Sequence, residues 1–145
     1  MMRKITLIAL TFMFCAILNA QESAPQLIDD FRVTQMPQPP MTEGTEPNNN
    51  IDISFKLPII DQVDKIMVTV KDKSTGTEIA SKTLSITLEN GEYFFNYPNR
   101  KRNVKRNYVA YPEYLGNLTI SDVVIEAVVI DKQGVSSNVI NPIVH

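Results

Sequence analysis

A nearly uncharged run of β-branched residues constrains the fold of this chain more than any other feature. Residues 123–130 read VVIEAVVI, in which six of the eight residues are Val or Ile and Glu126 carries the only charge. Such side chains lose little rotamer freedom on a pleated surface, and a run this short, without caps, is atypical of a soluble helix. Because a strand that is apolar on both faces is normally covered on both, we predict a central β-strand here.

The residues after this run predict a reversal of the chain. Asp131 can accept a local backbone hydrogen bond, and Gly134 can adopt a positive φ. Residues 135–140, which read VSSNVI, then form a more polar extended segment. We therefore predict a hairpin whose second strand closes the fold.

Alternating apolar and polar residues predict further strands along the chain. These segments are residues 27–35, 51–57, 65–72, 77–88 and 92–97. Within residues 77–88 the apolar positions change parity between Ile79 and Leu84, which indicates a β-bulge or a change of sheet. Asn90-Gly91 is a strong two-residue hairpin signal, since both residues tolerate positive φ. About seven strands and no amphipathic helix predict an all-β fold, a sandwich of two antiparallel sheets.

Two segments resemble fibronectin type III and related immunoglobulin-like domains. Residues 125–140, IEAVVIDKQGVSSNVI, are similar to the last two strands of that family, with their Ala-Val-x-Asp end, Gly turn and Ser-rich closing strand. Residues 51–58, IDISFKLP, are similar to its second strand, with Phe55 where the family usually has a core Trp, and Ile or Val replaces a Tyr common in the penultimate strand. The resemblance implies an immunoglobulin-like fold and no particular activity.

The N-terminus has the pattern of a bacterial signal peptide. Arg3 and Lys4 precede an apolar stretch, and a small residue, Ala20, offers a cleavage point, so we predict that residues 1–20 are removed on export. The mature chain, residues 21–145, then contains no Cys and no membrane span. We predict a single periplasmic or cell-surface domain with a lead-in over residues 21–26 and an irregular Pro-rich connection over residues 36–50.

Positive charge is concentrated in residues 99–107, NRKRNVKRN, which we call the basic segment. Without Arg3 and Lys4 the chain has 12 basic against 16 acidic residues, a net charge of −4, and removing the five cations of the basic segment changes this to −9. Like charges this close are stable only where water or an anionic partner screens them. The segment is therefore either a solvated loop or a docking loop for something acidic.

The sequence offers little for catalysis. The only His is the final residue, His145, and the only Cys lies in the predicted signal peptide, so the usual Ser-His, Cys-His and zinc arrangements are absent. We predict a non-catalytic protein with no metal and no cofactor.

We expect a binding or assembly module of the bacterial envelope whose partner is another envelope protein or an anionic glycan, and not nucleic acid. The predicted contact residues are Arg100, Lys101, Arg102, Lys105 and Arg106, with Tyr97 and Tyr108 as flanking contacts. Two alternatives stay open: a carbohydrate-binding accessory domain whose Tyr rings stack on sugars, and a structural subunit that pairs through strand edges. Partner identity and oligomeric state are left open by the sequence.

Overall fold

The computed structural model describes residues 26–37, 42–45, 48–97 and 99–145. These residues form strands and no α-helix, and two 3-10 turns, Ile60–Gln62 and Ile120–Asp122, each precede a strand. The strands are β1 (Asp29–Gln35), β2 (Asn49–Lys56), β3 (Val63–Asp72), β4 (Glu78–Glu89), β5 (Glu92–Tyr97), β6 (Arg100–Asn103), β7 (Tyr108–Gly116), β8 (Val123–Asp131) and β9 (Ile143–Val144).

The strands form two sheets. A four-stranded sheet has the order β7-β2-β1-β9, and a five-stranded sheet has the order β6-β5-β4-β3-β8. Neighbouring strands are antiparallel except β1 and β9, which pair in parallel through Arg32↔Ile143 and Val33↔Val144. The protein is an all-β, two-sheet sandwich, as predicted, and its arrangement is compatible with an immunoglobulin-like fold.

Alternate side chains of the two sheets make one core. On β2, Ile51, Ile53 and Phe55 are fully buried, and β3 and β8 contribute their own buried alternate residues. The Phe31 and Phe55 rings pack edge to face with their centroids 6.0 Å apart, a geometry that adds about 0.5–1.5 kcal/mol to area burial. Phe55 therefore occupies a core position, as the resemblance implied.

Two local predictions about β4 are confirmed. Asn90 and Gly91 have φ of 51° and 80°, which suits a two-residue hairpin turn between β4 and β5, whose strands pair from Glu89↔Glu92. The pairing of β3 with β4 steps from Val70↔Ala80 to Lys71↔Glu78, so Ile79 is the extra residue of a β-bulge.

The C-terminal hairpin differs from its prediction. β8 lies at the end of its sheet rather than at the centre, and the predicted closing strand over residues 135–140 makes only the isolated bridges Ile130↔Ser136 and Ala127↔Ile140. The chain then crosses to the four-stranded sheet as β9. Pro142, which has no N–H to donate, lies at this crossing and cannot extend the ladder with β8.

The described residues form nine strands, against about seven predicted. Three of these strands, β6, β7 and β9, were not predicted, and the predicted closing strand over residues 135–140 is not a regular strand. The Pro-rich connection ends at Asn49, where β2 begins. No helix within the described ranges is long and apolar enough to cross a membrane. The predicted signal peptide, residues 21–25 of the lead-in and residues 38–41 and 46–47 of the Pro-rich connection lie outside the described residues.

Candidate functional site

We predicted that the basic segment is a loop. This prediction was wrong, because part of the segment forms the edge strand of the five-stranded sheet. Arg100–Asn103 form β6, which pairs with β5 from Tyr97↔Arg100 to Phe94↔Asn103. Asn99 has φ of 66°, a conformation that Asn tolerates better than most residues and that allows the tight turn between the two strands. The sequence did not predict this strand, because its three successive cations, Arg100, Lys101 and Arg102, show no apolar alternation.

A single apolar residue fixes the end of β6. Val104 is buried, and its N–H donates to the Tyr93 carbonyl oxygen at 2.8 Å. The chain then turns through Arg106 and Asn107, with φ of 55° and 59°, and the Tyr108 N–H donates to the Lys105 carbonyl oxygen at 3.0 Å. The cations of Lys105 and Arg106 therefore lie on a defined turn between β6 and β7.

Two of the five predicted contact residues already have partners within the protein. Lys101 forms an ion pair with Glu89 on β4, and its Nζ lies 4.6 Å from the centroid of the Phe94 ring. The guanidinium carbon of Arg102 lies 5.4 Å from the centroid of the Tyr97 ring. Both contacts are exposed or half-exposed, so each adds at most about 1 kcal/mol.

The other three predicted cations are available to a partner. Arg100, Lys105 and Arg106 are exposed, and none of them forms an ion pair with any residue that the structure describes. They lie at one edge of a protein whose remaining charge is negative. All five residues of the predicted site therefore lie on β6 or on the turn that follows it, and three of them form no ion pair with a described residue.

Tyr97 and Tyr108, the predicted flanking residues, have different surroundings. Tyr97 is half-buried, its hydroxyl donates to the Pro112 carbonyl oxygen at 2.7 Å, and its ring centroid lies 5.2 Å from that of Tyr111. It thus joins β5 of one sheet to β7 of the other. Tyr108 is 40% exposed and lies beside the turn that carries Lys105 and Arg106.

A polar cluster next to Tyr97 was not predicted. The Lys82 Nζ lies 3.5 Å from Oε2 of the buried Glu113 and 5.1 Å from the Tyr97 ring centroid. Burial raises the pKa of Tyr111, with further contributions from Glu113 and Tyr97, so the phenol stays protonated. One signal could have revealed the cluster: Lys82 has the same parity as Leu84 and Ile86 and so points toward the core.

The exposed cations of the basic segment could contact an anionic group. Within the described ranges, no group of three or more His, Cys, Asp or Glu side chains is placed to hold a metal ion. The backbone N–H of the exposed His145 donates to the Val33 carbonyl oxygen on the four-stranded sheet. A cavity of about 190 Å³ lies between the start of β8 and the C-terminal segment, and none of its lining residues belongs to the basic segment.

No protein family model matches this chain, and no curated protein matches it significantly.

Proposed function

We propose that this protein is an exported, non-catalytic binding or assembly module of the bacterial envelope, built on a fibronectin type III-like sandwich. Its binding site is the edge strand β6 together with the turn that follows it, and its partner carries negative charge. The observation that carries the proposal is the grouping of Arg100, Lys105 and Arg106 without ion partners in the described structure. Lys105 and Arg106 are adjacent and Arg100 lies on the same edge of the sheet, and an anionic partner would relieve the repulsion among these cations.

The experiment is co-purification from the native envelope with the wild type and the variant Arg100→Gln/Lys105→Gln/Arg106→Gln side by side. A matched control, Lys65→Gln/Lys73→Gln/Lys132→Gln, removes the same charge from three lysines elsewhere that also form no ion pair with a described residue. We expect the wild type and the control to retain the same partner, and the first variant to bind it about tenfold more weakly.

Salt provides a second measure of the same interaction. A partner held by exposed charges dissociates as ionic strength rises, because the screening length shortens from about 10 Å at 0.1 M to about 3 Å at 1 M. The proposal would be contradicted if the wild type and Arg100→Gln/Lys105→Gln/Arg106→Gln retained the partner equally. Loss of binding only after glycan removal would identify an anionic glycan rather than a protein as the partner.

One observation favours carbohydrate binding as a second candidate function. Tyr108 and Tyr114 lie on the same outer face of β7 and are 40% and 57% exposed. Exposed aromatic rings on one face of a strand could stack on sugar rings. A change of tyrosine fluorescence on adding a neutral oligosaccharide, which is lost in Tyr114→Ala, would support this function over the first.

A further inference from the structure

The four outer edges of the two sheets are not equally accessible to another strand. A strand edge exposes unpaired N–H and C=O groups, which proteins either cover or use for pairing with another chain. At β7 and β8, other parts of the protein bond to backbone groups of the edge, and β9, the edge strand beside β1, is only two residues long. At β6, no described residue bonds to the outward backbone groups.

Several outward backbone groups of β7 are missing or already bonded within the protein. Pro112 has no N–H, and its carbonyl oxygen accepts the hydrogen bond from the Tyr97 hydroxyl at 2.7 Å. The Tyr114 N–H donates to Oε1 of Glu113 at 3.2 Å, and the Tyr108 N–H donates to the Lys105 carbonyl oxygen at 3.0 Å. Of the outward residues between Tyr108 and Tyr114, only Ala110 keeps both its N–H and its C=O group without a described partner.

The C-terminal segment lies along β8 of one sheet and then forms β9, the short edge strand beside β1, in the other. Along β8, Ala127 exchanges both backbone hydrogen bonds with Ile140, at 2.9 and 2.8 Å, and Val129 pairs with the backbone N–H and the hydroxyl of Ser137. Along β1, β9 pairs in parallel and the His145 N–H donates to the Val33 carbonyl oxygen at 3.1 Å.

On β6 the outward backbone groups have no such cover. The Val104 N–H donates to the Tyr93 carbonyl oxygen on β5. Because the backbone N–H and C=O groups of successive residues point to opposite edges of a strand, those of Arg100 and Arg102 also face β5. Lys101 and Asn103 therefore present their N–H and C=O groups outward, and no described residue bonds to these groups. They form a row of four backbone groups, enough for a short added strand.

Charge determines which strand can bind there. Two copies of β6 cannot pair readily with each other, because the three cations of each strand, six in all, would then meet across one edge. An acidic strand would instead place its carboxylates among Arg100, Lys105 and Arg106. The cations thus disfavour self-association and favour one class of partner.

We propose that β6 binds an extended acidic segment of another protein, which adds to the five-stranded sheet as a sixth strand through the backbone of Lys101 and Asn103. This inference rests on the proposed function, since it specifies the partner of the same site. At about 3.3 Å per residue, β6 accommodates a segment of roughly four to six residues.

The test uses an acetylated and amidated eight-residue peptide of alternating Thr and Glu, with binding measured by titration calorimetry. On the protein, Asn103→Pro removes the outward N–H and keeps all five cations. Asn103→Ala is the matched control, because both variants lose the hydrogen bond from the Asn103 side chain to Glu92 but only the first loses the N–H. We expect about tenfold weaker binding for Asn103→Pro than for Asn103→Ala.

A second measurement covers the case in which Asn103→Pro does not fold. Two versions of the peptide are N-methylated at alternate residues, in the two possible parities, and are titrated against the wild type. Strand addition predicts that one parity abolishes binding and the other does not, and that the peptide slows hydrogen exchange of the Lys101 and Asn103 amides.

The outcomes separate this inference from the proposed function. If Asn103→Pro and Asn103→Ala bind the peptide equally, with both parities of N-methylation tolerated, strand addition is wrong while a charge-based site stands. If the wild type does not bind the peptide at millimolar concentration, strand addition is again overturned, and co-purification still decides the proposed function. If Arg100→Gln/Lys105→Gln/Arg106→Gln binds the peptide as the wild type does, both fail.

Discussion

At the scale of single residues, Tyr97 fixes the edge of one sheet to the other. Its hydroxyl donates to the Pro112 carbonyl oxygen at 2.7 Å, and its ring packs on Tyr111. Tyr97→Phe keeps the ring and removes only this hydrogen bond, so we expect the free energy of unfolding to fall by about 1 kcal/mol. Urea unfolding measures the change.

The control for this variant is Tyr114→Phe. The Tyr114 side chain is 57% exposed, and its hydroxyl has no hydrogen-bond partner in the described structure, so we expect a change of about 0.5 kcal/mol or less. Equal stability of the two variants would show that the contact between Tyr97 and Pro112 contributes nothing.

The ionisation of Asp52 should change the stability of the protein with pH in the opposite direction to that of most carboxylates. Burial raises its pKa in the folded protein above the ordinary value of 3.8, so the ionised form is penalised by folding. The penalty is fully present at neutral pH and disappears as pH falls below 3.8. We therefore expect Asp52→Asn to raise the melting temperature at pH 7 and to leave it unchanged near pH 3.

Because Asp52 is only partly buried, the gain at pH 7 should be about 0.5 kcal/mol or less. Asp72 serves as the contrasting case. Hydrogen bonds from the Ser74 hydroxyl and from the Thr75 and Ser74 N–H groups lower its pKa, so Asp72→Asn should destabilise the protein above pH 3.8 and lose that effect in more acid solution. Parallel melting curves for the two variants would contradict these assignments.

At the scale of elements, the cover over β8 depends on a side chain. The Ser137 hydroxyl accepts from the Val129 N–H at 2.9 Å and donates to the Asn138 carbonyl oxygen at 2.8 Å, where a regular strand would use its backbone. We expect Ser137→Ala to cost about 1 kcal/mol and to speed hydrogen exchange of the Val129 amide.

Ser136→Ala provides the comparison, because the Ser136 side chain is exposed and makes no hydrogen bond to a described residue. It should change neither the stability nor the exchange of Val129. Unchanged exchange in both variants would mean that the segment after Gly134 covers β8 without the help of Ser137.

The elements also show how far the sequence predicts the structure. β2, β3, β4 and β5 follow from alternation, the Ile79 bulge follows from the change of apolar parity within β4, and the Asn90-Gly91 turn follows from local conformational preference. The position of β8 does not follow, because apolar residues on both faces indicate cover on both faces but not which element provides it. The sequence does not predict β6 either. This segment is a strand because it pairs with β5, and its composition alone does not indicate a strand.

At the scale of the whole molecule, the candidate site was predictable in its residues but not in its form. Five clustered cations are visible in the sequence, whereas the ion pair of Lys101 with Glu89 and the stacking of Arg102 on Tyr97 depend on strand register. The buried pairing of Lys82 with Glu113 depends on which sheets face each other. Contacts between sheets arise from tertiary packing, which local pattern does not encode.

The parallel pairing of β1 with β9 determines how the molecule bears mechanical load. The two strands run in the same direction, so tension applied to the chain before β1 and after β9 pulls them past each other and loads their hydrogen bonds in shear. The ladder has two paired positions, Arg32↔Ile143 and Val33↔Val144, far fewer than the antiparallel pairings of β2 with β7 or of β3 with β8. Under tension, then, we expect β9 to detach first and to free the edge of β1 while the core remains folded.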